Sequence, residues 1–106
     1  MALLVCTTTE TRDEARTIAQ ACVTAHLAAC AHIDEIESLY LWQGVFENGS
    51  EFRLTLKISD EAYDEVEAAI RKLHSYDEPA IYAVPITRGS ASYLKWVEEN
   101  SRPVSK

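Results

Sequence analysis

The sequence predicts an α+β fold of the split βαβ kind: a single domain over residues 1–106, with an antiparallel sheet, helices on one face of it and a long β-hairpin. Three observations carry this. Strand-like and helix-like stretches follow in the order strand, helix, strand, hairpin strand, helix, strand; the first helix has a clear apolar stripe; and residues 38–58 alternate around an Asn-Gly pair. No internal repeat or linker divides the chain.

Asn48-Gly49 is the strongest turn signal, because both central residues of a type I′ turn need positive φ. With these two in the loop, Val45 faces Phe52, Gln43 faces Leu54, Leu41 faces Leu56 and Leu39 faces Ile58, which makes one face almost wholly apolar. The other face carries Tyr40, Trp42, Gly44 and Phe46 across from Lys57, Thr55, Arg53 and Glu51. Each arm is about eight residues, or roughly 26 Å at ~3.3 Å per residue, long enough to reach beyond the core.

Taken in order, Leu3-Leu4-Val5-Cys6 reads as a buried strand ending in the polar turn Thr7-Thr8-Thr9. Thr11 with Glu14 makes a capping box, and Asp13 and Glu14 suit the positive end of a helix dipole. Ala15, Ile18, Ala19, Cys22, Val23 and His26 then recur at three- and four-residue steps. Residues 28–33 form a strand candidate of small side chains that leads through acidic residues 34–37 into the hairpin. Ser59 or Asp60 is the expected cap of a second helix lined by Tyr63, Val66, Ile70 and Leu73, with Arg71 and Lys72 at its C-terminal dipole. Residues 75–79 break that helix. Residues 80–86 form the next strand, with Pro85 at an edge or an end because it has no N–H to donate. Ser90 caps a last helix holding Tyr93, Trp96 and Val97, and residues 102–106 read as a frayed tail.

Ten Lys and Arg against seventeen Asp and Glu give a formal charge of -7, which repels nucleic acid phosphates and anionic membranes. Neither partner is expected, and no stretch reaches the length of a membrane span. The N-terminal apolar run lacks a basic leader region and reads as a strand. Cys6, Cys22 and Cys30 are odd in number with no CxxC spacing, which points to a reducing cytoplasm rather than a disulfide framework or zinc ribbon. There is no evident catalytic triad order, no Gly-rich phosphate loop and no HExxH, so an enzyme is not expected. Cys30 and His32 are alternate strand residues that share a face without chemistry following from it.

Several blocks then coincide. Leu27-Ala28-Ala29-Cys30, Ser38-Leu39-Tyr40-Leu41-Trp42-Gln43-Gly44, Leu56-Lys57, His74-Ser75-Tyr76 with Pro79, and Tyr93-Leu94-Lys95-Trp96 together resemble the CutA family of divalent-cation tolerance proteins along nearly the whole chain. The resemblance implies a ferredoxin-like fold and a tight homotrimer whose hairpins pack around a three-fold axis, similar in architecture to the PII signalling proteins. It also implies tolerance of copper and other divalent ions. The metal positions it implies are a cysteine in the first strand, here Cys6, and a histidine with a glutamate around a His-Pro-Tyr and Pro-Glu segment. Cys6 and His74 match, whereas Ser75 and Ala80 stand where the proline and the glutamate would be. A thiolate and an imidazole without the carboxylate would favour copper(I) over zinc.

Each candidate also has an ordinary explanation. A small apolar cysteine suits a buried strand, and a histidine after Arg71 and Lys72 suits a helix end; His26 and His32 are weaker metal candidates. Tyr40, Trp42, Phe46, Tyr76 and Trp96 are expected to wall an intersubunit cleft or to anchor an interface, with Glu51, Arg53 and Lys57 as the polar groups beside them. The expected function is therefore a non-enzymatic, cytoplasmic homotrimer of copper or other divalent-metal tolerance with no obligatory cofactor. The alternative is a PII-like trimer that binds a small metabolite, and a third reading is a purely structural scaffold.

Overall fold

The computed structural model describes residues 1–103; the end of the expected tail, residues 104–106, lies outside the described residues. The elements run β1 (Ala2–Thr9), α1 (Arg12–Thr24), β2 (Cys30–Trp42), β3 (Val45–Ser59), a 3-10 turn (Asp60–Ala62), α2 (Tyr63–Leu73), β4 (Ile81–Pro85) and α3 (Ala91–Glu99). The strands form one sheet in the order β2-β3-β1-β4 with every neighbouring pair antiparallel, the split βαβ architecture expected. Pro85 closes β4, an edge strand, where its missing N–H costs no ladder bond.

The hairpin turn falls elsewhere than expected. Gln43 (φ 51°) and Gly44 (φ 80°) are the loop residues, while Asn48 and Gly49 lie inside β3 opposite Leu39 and Ser38. Both dipeptides can form a type I′ turn, and local chemistry favours Asn-Gly without deciding the outcome. Pairing decides it. A loop at Asn48-Gly49 would carry residues 30–37 beyond the end of β3, whereas a loop at Gln43-Gly44 pairs all 13 residues of β2. It also sets Ile33 opposite Leu54 and Ala31 opposite Leu56, on the face the first two helices cover. The expected pairs Val45 with Phe52 and Leu41 with Leu56 give way to Trp42 with Val45 and Leu41 with Phe46. Phe46 accordingly leaves the face of Tyr40 and Trp42 for the opposite one.

At ~3.3 Å per residue the 13 residues of β2 span about 43 Å, which accounts for the molecule's longest extent of 44 Å. The radius of gyration, 14.3 Å, exceeds the ~13 Å of a compact chain of this length for the same reason. The far end of the ribbon lies outside the core.

The core sits between the sheet and two helices. Ala15, Ile18, Ala19 and Cys22 of α1 and Val66 and Ile70 of α2 pack over Val5, Leu54, Leu56 and Ile58. Each fully buried aliphatic side chain here stabilises the fold by roughly 1.5–3 kcal/mol relative to exposure. Helices are expected on one face only; α3 instead lies against one end of the other face, where its buried Val97 and its Tyr93 cover the sheet beside Lys57 and Cys30. Its Tyr93 ring is 5.3 Å from Lys57 Nζ, its Tyr93 hydroxyl is 3.9 Å from Cys30 Sγ, and its Val97 is buried.

Local departures from expectation have simple causes. β1 continues through Thr7, Thr8 and Thr9, because Thr7 and Thr9 pair with Leu54 and Phe52 and β-branched side chains suit a strand. α1 ends at Thr24, which leaves Val23 exposed and puts His26, at φ 60°, beyond the helix. The expected cap at Ser59 or Asp60 is absent: the Ser59 hydroxyl donates to Ser101 O at 2.6 Å, and the Ser59 N–H donates to Ser101 Oγ at 2.7 Å. The caps at Thr11 and Ser90 are present, accepting from Glu14 N at 3.1 Å and Tyr93 N at 3.4 Å.

The turn assignment has a direct test. Gly44→Ala forces an L side chain into positive φ and should cost about 1–2 kcal/mol, whereas Gly49→Ala in extended backbone should change stability by less than ~0.5 kcal/mol. Urea unfolding midpoints of the two variants check it, and the reverse order would restore Asn48-Gly49 as the turn.

Candidate functional site

Alternation along the strands sorts the side chains onto two sides of the sheet. On the side away from α1 and α2, His32, Thr55, Cys6 and Tyr82 form a row across the four strands. Tyr40, Trp42 and Glu51 belong to the same side, further along the hairpin. There the segment between α2 and β4 meets them, and a groove of about 460 Å³ results.

That segment is held by His74, whose side chain is fully buried. The Tyr76 N–H donates to His74 Nδ1 at 3.1 Å, so the ring proton is on Nε2, which donates to Thr8 O at 2.8 Å. Glu14 clamps the next residue: it accepts from Ser75 N–H at 2.6 Å and from the Ser75 hydroxyl at 3.0 Å. The capping box is therefore only half made, since the carboxylate turns to Ser75 instead of back to Thr11. A proline at position 75 would offer neither donor.

Held in this way, Tyr76 donates its hydroxyl to Glu51 Oε2 at 2.8 Å and lines the groove with Tyr40 and Trp42. Asp77 and Glu78 add two more carboxylates, and Thr8 and Ala80 complete the lining. Among the described residues no lysine, arginine or histidine is part of it. Burial first, then the hydrogen bond and charge of Glu51, with smaller contributions from Glu10 and Tyr40, push the Tyr76 phenol well above its ordinary range.

Three of the five expected aromatics are thus brought together. Phe46 is on the other side of the ribbon opposite Leu41, and Trp96 stacks on Tyr93 at 5.9 Å within α3. Of the polar groups beside them only Glu51 enters the groove: Arg53 pairs with Asp34 at 2.8 Å, and Lys57 lies over Tyr93. Asp77 and Glu78, read from the sequence only as helix breakers, prove to line the site. No local pattern marks them, because the clamp that positions them is made by residues more than 60 positions earlier.

The metal positions fare differently. Both His74 nitrogens are already engaged, one lone pair by Tyr76 and one proton by Thr8, which makes the ring a positioning group with nothing to offer an ion. Cys6 is buried, its thiol beside the Tyr82 hydroxyl, and it shares no hydrogen bond or ion pair with His74. Ala80 brings no oxygen ligand. Among the described residues no group of three or more His, Cys, Asp or Glu is placed to hold a metal ion, and this donor set does not fit a preformed copper site.

A four-stranded split βαβ sandwich with an overlong hairpin, and a groove where that hairpin meets the α2–β4 segment, defines the structural class. The sequence profile of the CutA1 divalent ion tolerance protein family matches residues 3–100. The divalent-cation tolerance protein CutA of Thermus thermophilus is 37% identical over 99 residues, 92% of this chain and 96% of that protein. Its solved structure superposes with a TM-score of 0.92 at 37% identity, covering 96% of this chain and all of the other. A structure from Archaeoglobus fulgidus, described as the periplasmic divalent cation tolerance protein CutA, gives a TM-score of 0.92 at 34% identity over 96% of this chain and all of that one. The chain belongs to the CutA family of divalent-cation tolerance proteins.

The raised Tyr76 value predicts an alkaline signature. The folded state keeps a phenolic proton that the unfolded chain releases near pH ~10, so its contribution is complete below about pH 10 and is lost as pH rises further. Tyr63, Tyr82 and Cys22 are raised too, Cys22 to about 11, and act with the same sign. Urea midpoints measured from pH 8 to pH 11.5 should fall with pH, and Tyr76→Phe should make the fall shallower by up to about one proton's worth of slope. An unchanged slope would show that the phenol is not held as described.

Proposed function

We propose that the chain acts as a non-enzymatic, homotrimeric protein of divalent-cation tolerance in the cytoplasm. Family membership supports the tolerance role, and the hairpin supports the assembly. Beyond the core, Leu39, Leu41 and Phe46 are 58%, 72% and 60% exposed on one side of the ribbon, with Val45 and part of Trp42 exposed on the other. Apolar surface of that extent on a projecting ribbon is buried by other copies of the chain. The cytoplasmic assignment rests on three free cysteines, and no helix among the described residues is long and apolar enough to cross a membrane. Multi-angle light scattering at micromolar concentration is expected to give three times the mass of one chain. The double variant Leu41→Glu, Phe46→Glu should shift that mass to one chain, and a monomeric wild type would refute the assembly.

We propose further that metal binding is weak and not obligatory. The locked His74 and the carboxylate-free position 80 support this, as does the burial of Cys6. Competitive titration with copper(I) and zinc should give weak binding with copper(I) preferred. It should fall in Cys6→Ser and persist per folded chain in His74→Ala. Tight, stoichiometric binding abolished equally by both substitutions would establish the two-residue site instead.

A second reading is favoured by one observation, the groove walled by Tyr40, Trp42 and Tyr76: a PII-like trimer that binds a small metabolite. Its volume is that of a small-molecule site.

A further inference from the structure

We infer that the groove takes a small organic ammonium ion, an amine carried on an apolar or aromatic body; this rests on the small-molecule reading of the same groove. The lining has two parts that together select such a ligand. Tyr40, Trp42 and Tyr76 supply aromatic surface, and Glu51, Asp77 and Glu78 supply carboxylates. Among the described residues no basic side chain of the lining neutralises them. An anion is repelled, and a neutral aromatic leaves the charge of the site without a partner.

Inorganic cations are served less well. A divalent metal ion needs several oxygens converging at about 2–2.6 Å, and the described residues offer no such group of three. Its strongly held water also keeps it from the rings. An alkylammonium is weakly hydrated around its carbon body, gains from aromatic surface, and donates N–H bonds to carboxylates.

Glu51 is the residue on which the selectivity turns. Tyr76 occupies its Oε2 at 2.8 Å, and among the described residues no side chain of opposite charge pairs with it. The phenol thus orients the carboxylate without neutralising it, and the negative charge stays available to a ligand. Arg53, two residues on along β3, is drawn away to Asp34 at 2.8 Å.

The test is calorimetric titration of the full-length assembled protein, at fixed ionic strength, with phenethylammonium, 2-phenylethanol and 3-phenylpropionate. The ammonium should bind at least about tenfold more tightly than the alcohol, and the carboxylate should not bind. Glu51→Gln keeps the shape and an acceptor for Tyr76, and should lower the ammonium affinity by about tenfold while leaving the alcohol unchanged. Light scattering on the variant confirms that its assembly matches wild type. Equal binding of ammonium and alcohol, or an unaltered ammonium affinity in Glu51→Gln, overturns the inferred ligand class while the small-molecule groove stands. Displacement of the ammonium by equimolar magnesium overturns it in favour of an inorganic cation. Failure of all three probes overturns the groove as a small-molecule site along with the inference.

Discussion

The register of β2 against β3, fixed at Gln43-Gly44, is the constraint on which the rest of the structure depends. Side chains alternate with a period of two, so a slip of one residue would move every side chain of β2 to the opposite face. In the observed register Ile33, Leu54 and Leu56 face the helices, and Asp34 meets Arg53 directly across the strands. That exposed ion pair contributes little energy by itself, but its sign agrees with the pairing. The cost of the arrangement is Gln43, a non-glycine residue held at φ 51°. Continuous pairing along 13 residues outweighs it.

The same register creates two unequal surfaces at the projecting end. Leu39, Leu41 and Phe46 fall on one side with no helix above them, and Tyr40 and Trp42 fall on the other, where the segment after α2 comes to meet them. One long ribbon can thus serve assembly with one side and a ligand groove with the other. His74 connects these roles to the core. Its ring joins Thr8 of β1 to Tyr76, and Glu14 of α1 joins Ser75, so two polar side chains tie three parts of the chain together. A buried ring with both nitrogens satisfied rigidifies its surroundings, and removing it leaves the Thr8 carbonyl and the Tyr76 N–H without partners. Rigidity at Tyr76 and availability of His74 to a metal are mutually exclusive, because both draw on the same two nitrogens.

Much of the fold was legible because it is written locally. The period of α1, the caps at Thr11 and Ser90 and the position of Pro85 are decided by neighbours a few residues away. The turn was not, since the local steric rule favours Asn48-Gly49 over Gln43-Gly44 and long-range pairing overrides it. A displaced turn acts by parity: Tyr40 and Trp42 share a face in either register, whereas Phe46 changes face when it passes from one arm of the hairpin to the other. Tyr76 could be named from the sequence, but Asp77 and Glu78 could not be told from ordinary solvated turn residues. What distinguishes them is the clamp made by Thr8 and Glu14, whose participation leaves no periodic trace.

Family membership and site chemistry therefore carry different information in this chain. The fold and the overlong hairpin follow from apolar alternation and turn geometry, which tolerate wide sequence change, as the 0.92 superposition at 34% identity illustrates. A ligand site depends on single atoms. Ala80 has no side-chain oxygen, and Ser75 supplies two donors that hold Glu14 against the α2–β4 segment. Both residues bear on the same groove: Ala80 lines it without a side-chain ligand for a metal, and Ser75 is bonded to Glu14 next to Tyr76, Asp77 and Glu78. The groove's chemistry lies in aromatic surface and in three carboxylates, of which Glu51 is oriented by the Tyr76 hydroxyl, rather than in a coordination sphere.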